Sequence, residues 1–411
     1  MLKRTLVILL SIIPAIIFSQ DVKLDELKIY LDCNICDNTY IKQNLGNVQF
    51  VRDQNLGDVH LFFVTQQNGS GGRLYEIDFI GKNTFENIKY KLSFSTDTNM
   101  TNDDVRNQIL DQLKLGLVRY WIEKGATDSV SVNVDSPENN EQKLEENDPW
   151  DYWVFGLGAN GYFNGQETNK YSNLNGDLSI KRVTEENKFL LRLGIGEDKS
   201  TFTYGDEDII AINSNKYLFI SDVLSINDNW SYGFFADLGA STYSNKDFYW
   251  SLKPALEYNF FEYKQSAKKQ LTLSYRNGIV YQKYIERTIF AKEKETLWEH
   301  ELNLGGSINQ EWGNIFSEAS FRQYLHDTTL NSLSFYLGAN IRIFKGFNFN
   351  INGSYSITRN QVNLPAGNVS LEELLLQQQQ LQSGYNYYAS FGFNYAFGSI
   401  YNTIVNPRFN F

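Results

Sequence analysis

Residues 347–358, FNFNINGSYSIT, and 385–398, YNYYASFGFNYAFG, decide the fold. In the second stretch Tyr387, Ala389, Phe391, Phe393, Tyr395 and Phe397 fall on one face, and Tyr388, Ser390, Gly392, Asn394, Ala396 and Gly398 on the other. In the first, Phe347, Phe349, Ile351, Tyr355 and Ile357 oppose Asn348, Asn350, Asn352, Ser354, Ser356 and Thr358. An extended chain sends successive side chains to opposite faces, so both stretches read as strands. One face is built of large apolar groups and the other of small polar ones. Both runs far exceed the roughly 5 to 6 residues of an ordinary soluble strand. They fit a membrane barrel, in which lipid-facing and lumen-facing positions alternate.

Working outward, the same pattern recurs from residue 151 onward. Trp153, Phe155, Leu157 and Ala159 alternate with Gly156, Gly158 and Asn160, and Leu333, Phe335, Leu337, Ala339, Ile341 and Ile343 with Ser334, Tyr336, Gly338, Asn340 and Arg342. Strands are expected near 151–165, 171–184, 187–202, 209–226, 229–244, 248–263, 269–286, 295–311, 314–326, 330–345, 347–361 and 385–400. An even number is what a single-chain bacterial barrel requires. The fold class is therefore a transmembrane antiparallel β-barrel of about twelve strands, with the last strand expected to pair with the first. Tight turns are expected after even-numbered strands, on the periplasmic side, and the long connections 287–294 and 363–384 follow the seventh and eleventh, on the outer side. Ser370–Gln382, SLEELLLQQQQLQ, should then lie outside the cell. Aromatic residues near strand ends, such as Trp153, Tyr162, Trp250, Trp298, Trp312 and Tyr395, match the girdles at a membrane's two interfaces.

Three other segments precede the barrel, which takes 150–411. Residues 1–20, MLKRTLVILLSIIPAIIFSQ, have a basic start and a short, proline-broken apolar run, and read as a cleavable secretory signal. Residues 21–130 read as a small periplasmic α/β domain whose clearest element is a helix after Thr101, with a stripe of Val105, Ile109, Leu113, Leu117 and Tyr120. Residues 131–149, centred on PENNEQKLEEND at 137–148, are acidic and nearly free of bulky apolar groups, and read as a flexible linker.

Composition narrows the chemistry. Aromatic residues are 15% of the chain, yet the mean hydropathy is -0.40, so rings are interleaved with polar groups. A net charge of -11 argues against nucleic acid, which needs a concentrated basic surface. Cys33 and Cys36, in CNIC, lack the partners of a zinc site and the surroundings of a redox motif, and in an exported domain read as a local disulfide. The glycine-rich loop Thr65–Tyr75 reads as a hairpin, without the lysine and following helix of a phosphate loop. No metal site and no cofactor are expected.

His60, in VHLFFV, reads as a core residue. His300 lies on the outer face, and its one serine candidate, Ser317, is offset along the next strand by on the order of 20 Å at about 3.3 Å per residue. His326 and Asp327 are adjacent and so point to opposite faces. The inward positions carry both signs: Asp177, Lys181, Arg192, Asp237, Lys253, Glu257, Arg276, Glu299, Glu301, Glu318, Arg322 and Arg342. They form either a lumen-filling salt-bridge network or the lining of a pore. The assembly signal is assigned to Phe391, Phe393, Tyr395 and Phe397 or to Phe409 and Phe411 at the end of the chain.

The stretches LDCNICDNTYIKQNLGNVQFVRDQNLGDVHLFFVTQQNGSGGRLYEIDFIG and YYASFGFNYAFGSIYNTIVNPRF resemble outer-membrane β-barrel proteins of Bacteroidota that carry an N-terminal periplasmic domain. The barrel more faintly resembles the YdiY-like salt-induced outer-membrane proteins. The resemblance implies location and architecture and brings no activity with it. The expectation is a non-enzymatic outer-membrane protein, an envelope anchor or narrow solute path, whose periplasmic domain binds a protein or peptidoglycan. Outer-membrane lipid and the barrel assembly machinery would be its other partners. The rival reading is a membrane-embedded hydrolase of lipid or lipopolysaccharide.

Overall fold

The computed structural model describes residues 26–69, 71–125, 148–205, 207–367, 380–399, 406 and 408. The signal segment, most of the linker, most of Ser370–Gln382, and Phe409 and Phe411 lie outside the described residues.

The N-terminal part is an α/β unit with β1 (Leu27–Asp32), α1 (Asn38–Asn44), β2 (Val48–Phe50), β3 (Val59–Gln67), β4 (Arg73–Gly81), β5 (Lys89–Ser95) and α2 (Asn102–Glu123). Its five-stranded sheet has the order β2-β1-β3-β4-β5. β1 is parallel to both β2 and β3, and the rest is an antiparallel meander. α2 begins where Thr101 and Asp104 cap each other reciprocally, side chain to backbone in both directions, which satisfies two otherwise orphaned N–H groups. Its stripe of Ile109, Leu113, Leu117 and Tyr120 is buried in one core with Leu27, Ile29, Leu61, Ile77 and Phe79. Gly116 lets the helix approach the sheet, because a Cβ there would sit 2.0 Å from the Phe79 ring.

The second part is a twelve-stranded antiparallel sheet in which every strand pairs with its sequence neighbours. Its first half is β6 (Trp153–Gly165), β7 (Asn169–Val183), β8 (Asn187–Tyr204), β9 (Glu207–Ser225), β10 (Trp230–Ser241) and β11 (Lys246–Asn259). Its second half is β12 (Lys269–Tyr284), β13 (Lys294–Gln310), β14 (Gly313–Tyr324), β15 (Asn331–Phe344), β16 (Phe347–Thr358) and β17 (Tyr385–Tyr395). The alternation sorts the faces as the sequence requires. Leu252 on the outer face is 51% exposed, whereas Glu299 and Glu301 on the inner face are 6% and 4% exposed. A soluble sheet would show the reverse.

Two expectations need correction. Among the described residues no ladder joins β17 to β6, and both edges are open, with Leu157 88% and Phe391 79% exposed. An open edge is hydrated in water, whereas in hydrocarbon each unpaired backbone group would cost several kcal/mol. Connection length also separates the two ends less cleanly than expected. The connections after β6, β8 and β10 are as short as most at the opposite end, 285–293 is matched in length there by 260–268, and the asymmetry rests on residues 325–330 and 359–384.

Replacing Gly116 with Val should overpack the contact with Phe79 and destabilise the α/β unit by about 1–3 kcal/mol. Hydrogen exchange of the full chain should show protection lost in β3, β4 and α2 while the twelve-stranded sheet keeps its own.

Candidate functional site

The inner face of the large sheet holds a series of polar cavities, and all but one of the charged residues assigned inward by alternation line them. Asp177, Lys181 and Arg192 line a cavity of about 540 Å³ on β7 to β9. Glu257, Arg276 and Glu318 line a smaller one of about 240 Å³. Asp237, Lys253, Arg276, Glu299, Glu301 and Arg322 line a chamber of about 470 Å³ toward the far end of the strands. Desolvated charges are tolerable only when compensated. Lys253 pairs with Glu299 across the intervening β12, Arg322 lies 3.3 Å from Glu301, and the Ser251 hydroxyl donates to Asp237 at 2.9 Å.

The chamber has a roof that alternation could not disclose. The segment after β16 folds back across the connections from β10 to β11 and from β12 to β13. The Ile289 N–H donates to the Leu364 carbonyl at 2.9 Å and the Ala366 N–H to the Arg287 carbonyl at 2.8 Å. Asn245 donates to the Asn363 carbonyl at 2.9 Å, and the Asn363 amide donates to the Ser244 carbonyl at 3.0 Å. Val362 packs with Leu297, Tyr324 and Leu330. Gln361, Asn363 and Gln380 thereby line the chamber.

At the opposite end the α/β unit docks on the turns that follow β11, β13 and β15. His60 is fully buried between them. Its Nε2 is 3.1 Å from Asp32, and its Nδ1 is 3.3 Å from the Glu311 carboxylate of the β13–β14 turn, off the line of a hydrogen bond. Lys82 meets the same carboxylate at 3.1 Å, Lys345 meets Asp53 at 3.1 Å, Lys268 pairs with Asp78, and Gln66 donates to Ser266 at 3.2 Å. Arg342 is the exception among the inward residues. Lying at the end of β15, it leaves the lumen network, donating to the Glu311 carbonyl at 2.9 Å and reaching Asp32 at 3.4 Å. Cys33 and Cys36 form a disulfide beside this face, between β1 and α1, with Cα atoms 5.5 Å apart. Thr65–Tyr75 spans a β3–β4 hairpin, with Gly71 at φ +87° in the turn.

Burial pushes the His60 imidazole down, but the two carboxylates outweigh it and its pKa is raised above the ordinary 6.5. His60 and Lys82 together hold Glu311 below its ordinary 4.5, at about 2, against the opposite pull of burial.

His300 and Ser317 lie apart on neighbouring strands. His300 Nε2 meets the Gln323 side-chain oxygen at 2.9 Å on the neighbouring strand. Ser317 pairs in register with Gly306, well away from it. The His326 ring lies tilted, 6.0 Å from the Tyr324 ring, and the Asp327 carboxylate accepts from the Thr329 hydroxyl at 2.7 Å.

No family model matches this chain, and no curated protein matches it either. Among solved structures, the translocator domain of autotransporter NalP from Neisseria meningitidis is 13% identical, covering 70% of this chain and 98% of its own, with a TM-score of 0.27. The NanC porin is 8% identical, with 59% and 99% covered and a TM-score of 0.29. CdiB from Acinetobacter baumannii is 9% identical, with 90% and 73% covered and a TM-score of 0.28. At such identities and scores these likenesses carry no information about what the chain does.

The docking should depend on pH in two directions. A raised imidazole pKa favours the docked state fully below 6.5 and loses that contribution as pH rises through the docked value. A depressed carboxyl pKa favours it above 4.5 and loses that contribution as pH falls toward about 2. Spin labels at the exposed positions Asn55 and Lys264 should therefore report a longer mean separation at alkaline pH than near pH 6. His60→Gln should abolish that alkaline change; an alkaline change that persists in the variant would show that another group controls docking.

Proposed function

We propose that this chain is a non-enzymatic outer-membrane β-barrel protein that provides a narrow solute path, with its α/β domain held at the periplasmic rim. The observation that carries the reading is the division of the twelve-stranded sheet. Its outer face exposes Leu252, Leu256, Leu302, Leu333 and Phe335, as a lipid-facing surface would, while its inner face holds charged residues around successive cavities. A lumen filled only by a salt-bridge ladder would leave less room than these cavities provide.

The rim contacts support the topology. The α/β domain engages the turns after β11, β13 and β15, the end where the chain enters β6, and the roof over the chamber stands at the opposite end. With a secretory signal at residues 1–20 and the domain in the periplasm, the roof faces outward. Outer-membrane lipid would then contact the apolar face, and the barrel assembly machinery would read Phe391, Phe393, Tyr395 and Phe397, all on the outer face of β17 or just beyond it. A periplasmic protein or peptidoglycan would be met by the α/β domain, where Leu115 and Ile122 of α2 are exposed.

Single-channel recording of the full chain in planar bilayers should show a small, steady conductance. Replacing residues 361–382 with a short Gly-Ser turn should raise it, and His326→Ala should leave it unchanged. Absence of conductance in both the native chain and the roofless variant would sink the solute path and leave the anchor. An epitope inserted at Gly367 should be labelled on intact cells; labelling only after the outer membrane is broken would reverse the orientation.

A further inference from the structure

The chamber under the roof departs from strict alternation at the start of β11. In this strand the odd-numbered Tyr249, Ser251 and Lys253 line the chamber, while the even-numbered Phe248, Leu252 and Leu256 are exposed outside. Strict alternation would put Asp247 inside and Lys246 outside. The ladder to β12 slips between Lys246 and Phe248, and the ladder to β10 slips between Gly239 and Ser241 opposite. A bulge of this kind re-aims a side chain. Lys246 turns in, with its ammonium 5.1 Å from the centre of the Tyr249 ring, and Asp247 turns out to pair with Lys283.

The swap sets the sign of the chamber. Its lining carries Lys246, Lys253, Arg276 and Arg322 against Asp237, Glu299 and Glu301. With Asp247 in place of Lys246, acids would outnumber bases. Of the cations, Lys253 and Arg322 are paired. Among the described residues no carboxylate lies within 4.0 Å of Lys246 or Arg276. The Arg276 guanidinium rests 4.0 Å from the centre of the Phe235 ring, and its buried Nε has no hydrogen-bond partner. Arg276 also stands opposite Glu301 in the ladder, whereas another unmet group stands opposite Tyr249, beside Lys246. Gln282 is 2% exposed, lines the same chamber, and its side-chain oxygen accepts no hydrogen bond. Buried polar atoms of this kind are costly to leave unmade and favour whatever completes them.

We propose that the chamber binds a small organic acid that carries hydroxyl or amide donors, with Lys246 holding its carboxylate and Gln282, which pairs with Tyr249 in the ladder, accepting from a donor on its body. The volume of about 470 Å³ suits a solute of monosaccharide size rather than a bare inorganic ion. The ammonium fits a carboxylate, and the unpaired amide oxygen separates a hydroxylated acid from a simple one. This assignment rests on the solute-path reading, in which the chamber is a waypoint beneath the outer roof.

The full-length protein in detergent micelles, with its folded state checked by heat-modifiable gel mobility, is titrated calorimetrically with D-glucuronate, D-glucose and acetate. Glucuronate should bind saturably, acetate more weakly, and glucose not at all. Lys246→Met should weaken glucuronate about tenfold or more, the size expected for losing one charge-assisted hydrogen bond. Lys170→Met, exposed on β7 away from the chamber, should not. Gln282→Leu should remove the advantage of glucuronate over acetate. Glucose binding as tightly as glucuronate, or Lys246→Met binding like the native chain, would overturn the proposal. Bilayer recordings keep the two readings apart: conductance without glucuronate binding sinks the chamber alone, and binding without conductance sinks the path while the chamber stands.

Discussion

Everything in the larger part of this protein depends on the period of two. A strand has only two faces, and this sheet gives one to apolar groups and the other to polar and charged ones. Rings and branched residues therefore recur at every second position of twelve strands, and the charges between them have nowhere to go but inward. Once inside they are partly desolvated, so they pair across the curved face, as Lys253 does with Glu299 over β12. Where space is left among the pairs, cavities follow.

Against so regular a background a single slip has consequences. The bulge at the start of β11 costs a ladder hydrogen bond and exchanges an inward carboxylate for an inward ammonium. The same region supports the roof, because Asn245, directly before the slip, donates to the Asn363 carbonyl. Local geometry at this turn thus sets both the charge of the chamber and its cover.

The other end is held by a different device. His60 reads as an ordinary core histidine inside VHLFFV, yet it is wedged between a carboxylate of its own domain and one from the β13–β14 turn. Burying an imidazole between two acids is favourable only while the ring carries its proton. The domain is therefore joined to the sheet by a contact whose strength follows protonation, with Lys82, Arg342 and Lys345 adding ion pairs around it.

Much of this was legible in the chain itself. The twelve strand runs, the α2 stripe ending at Tyr120, and the inward parity of Asp177 or Glu301 follow from periodicity, which is a local property of neighbouring residues. The partners of those residues are not local. Arg342 alternates inward like the rest, but only the docked α/β domain draws it to Asp32, a residue 310 positions away. Nothing around residue 363 signals a roof, because its anchors lie on connections some hundred residues earlier, near Ser244. Lys246 defeated the pattern outright, since a slipped register is fixed by two neighbouring strands at once. Periodicity thus determined which face each side chain prefers, whereas the chamber's sign, its cover and the His60 contact were decided by tertiary structure, because each requires segments distant in sequence to meet.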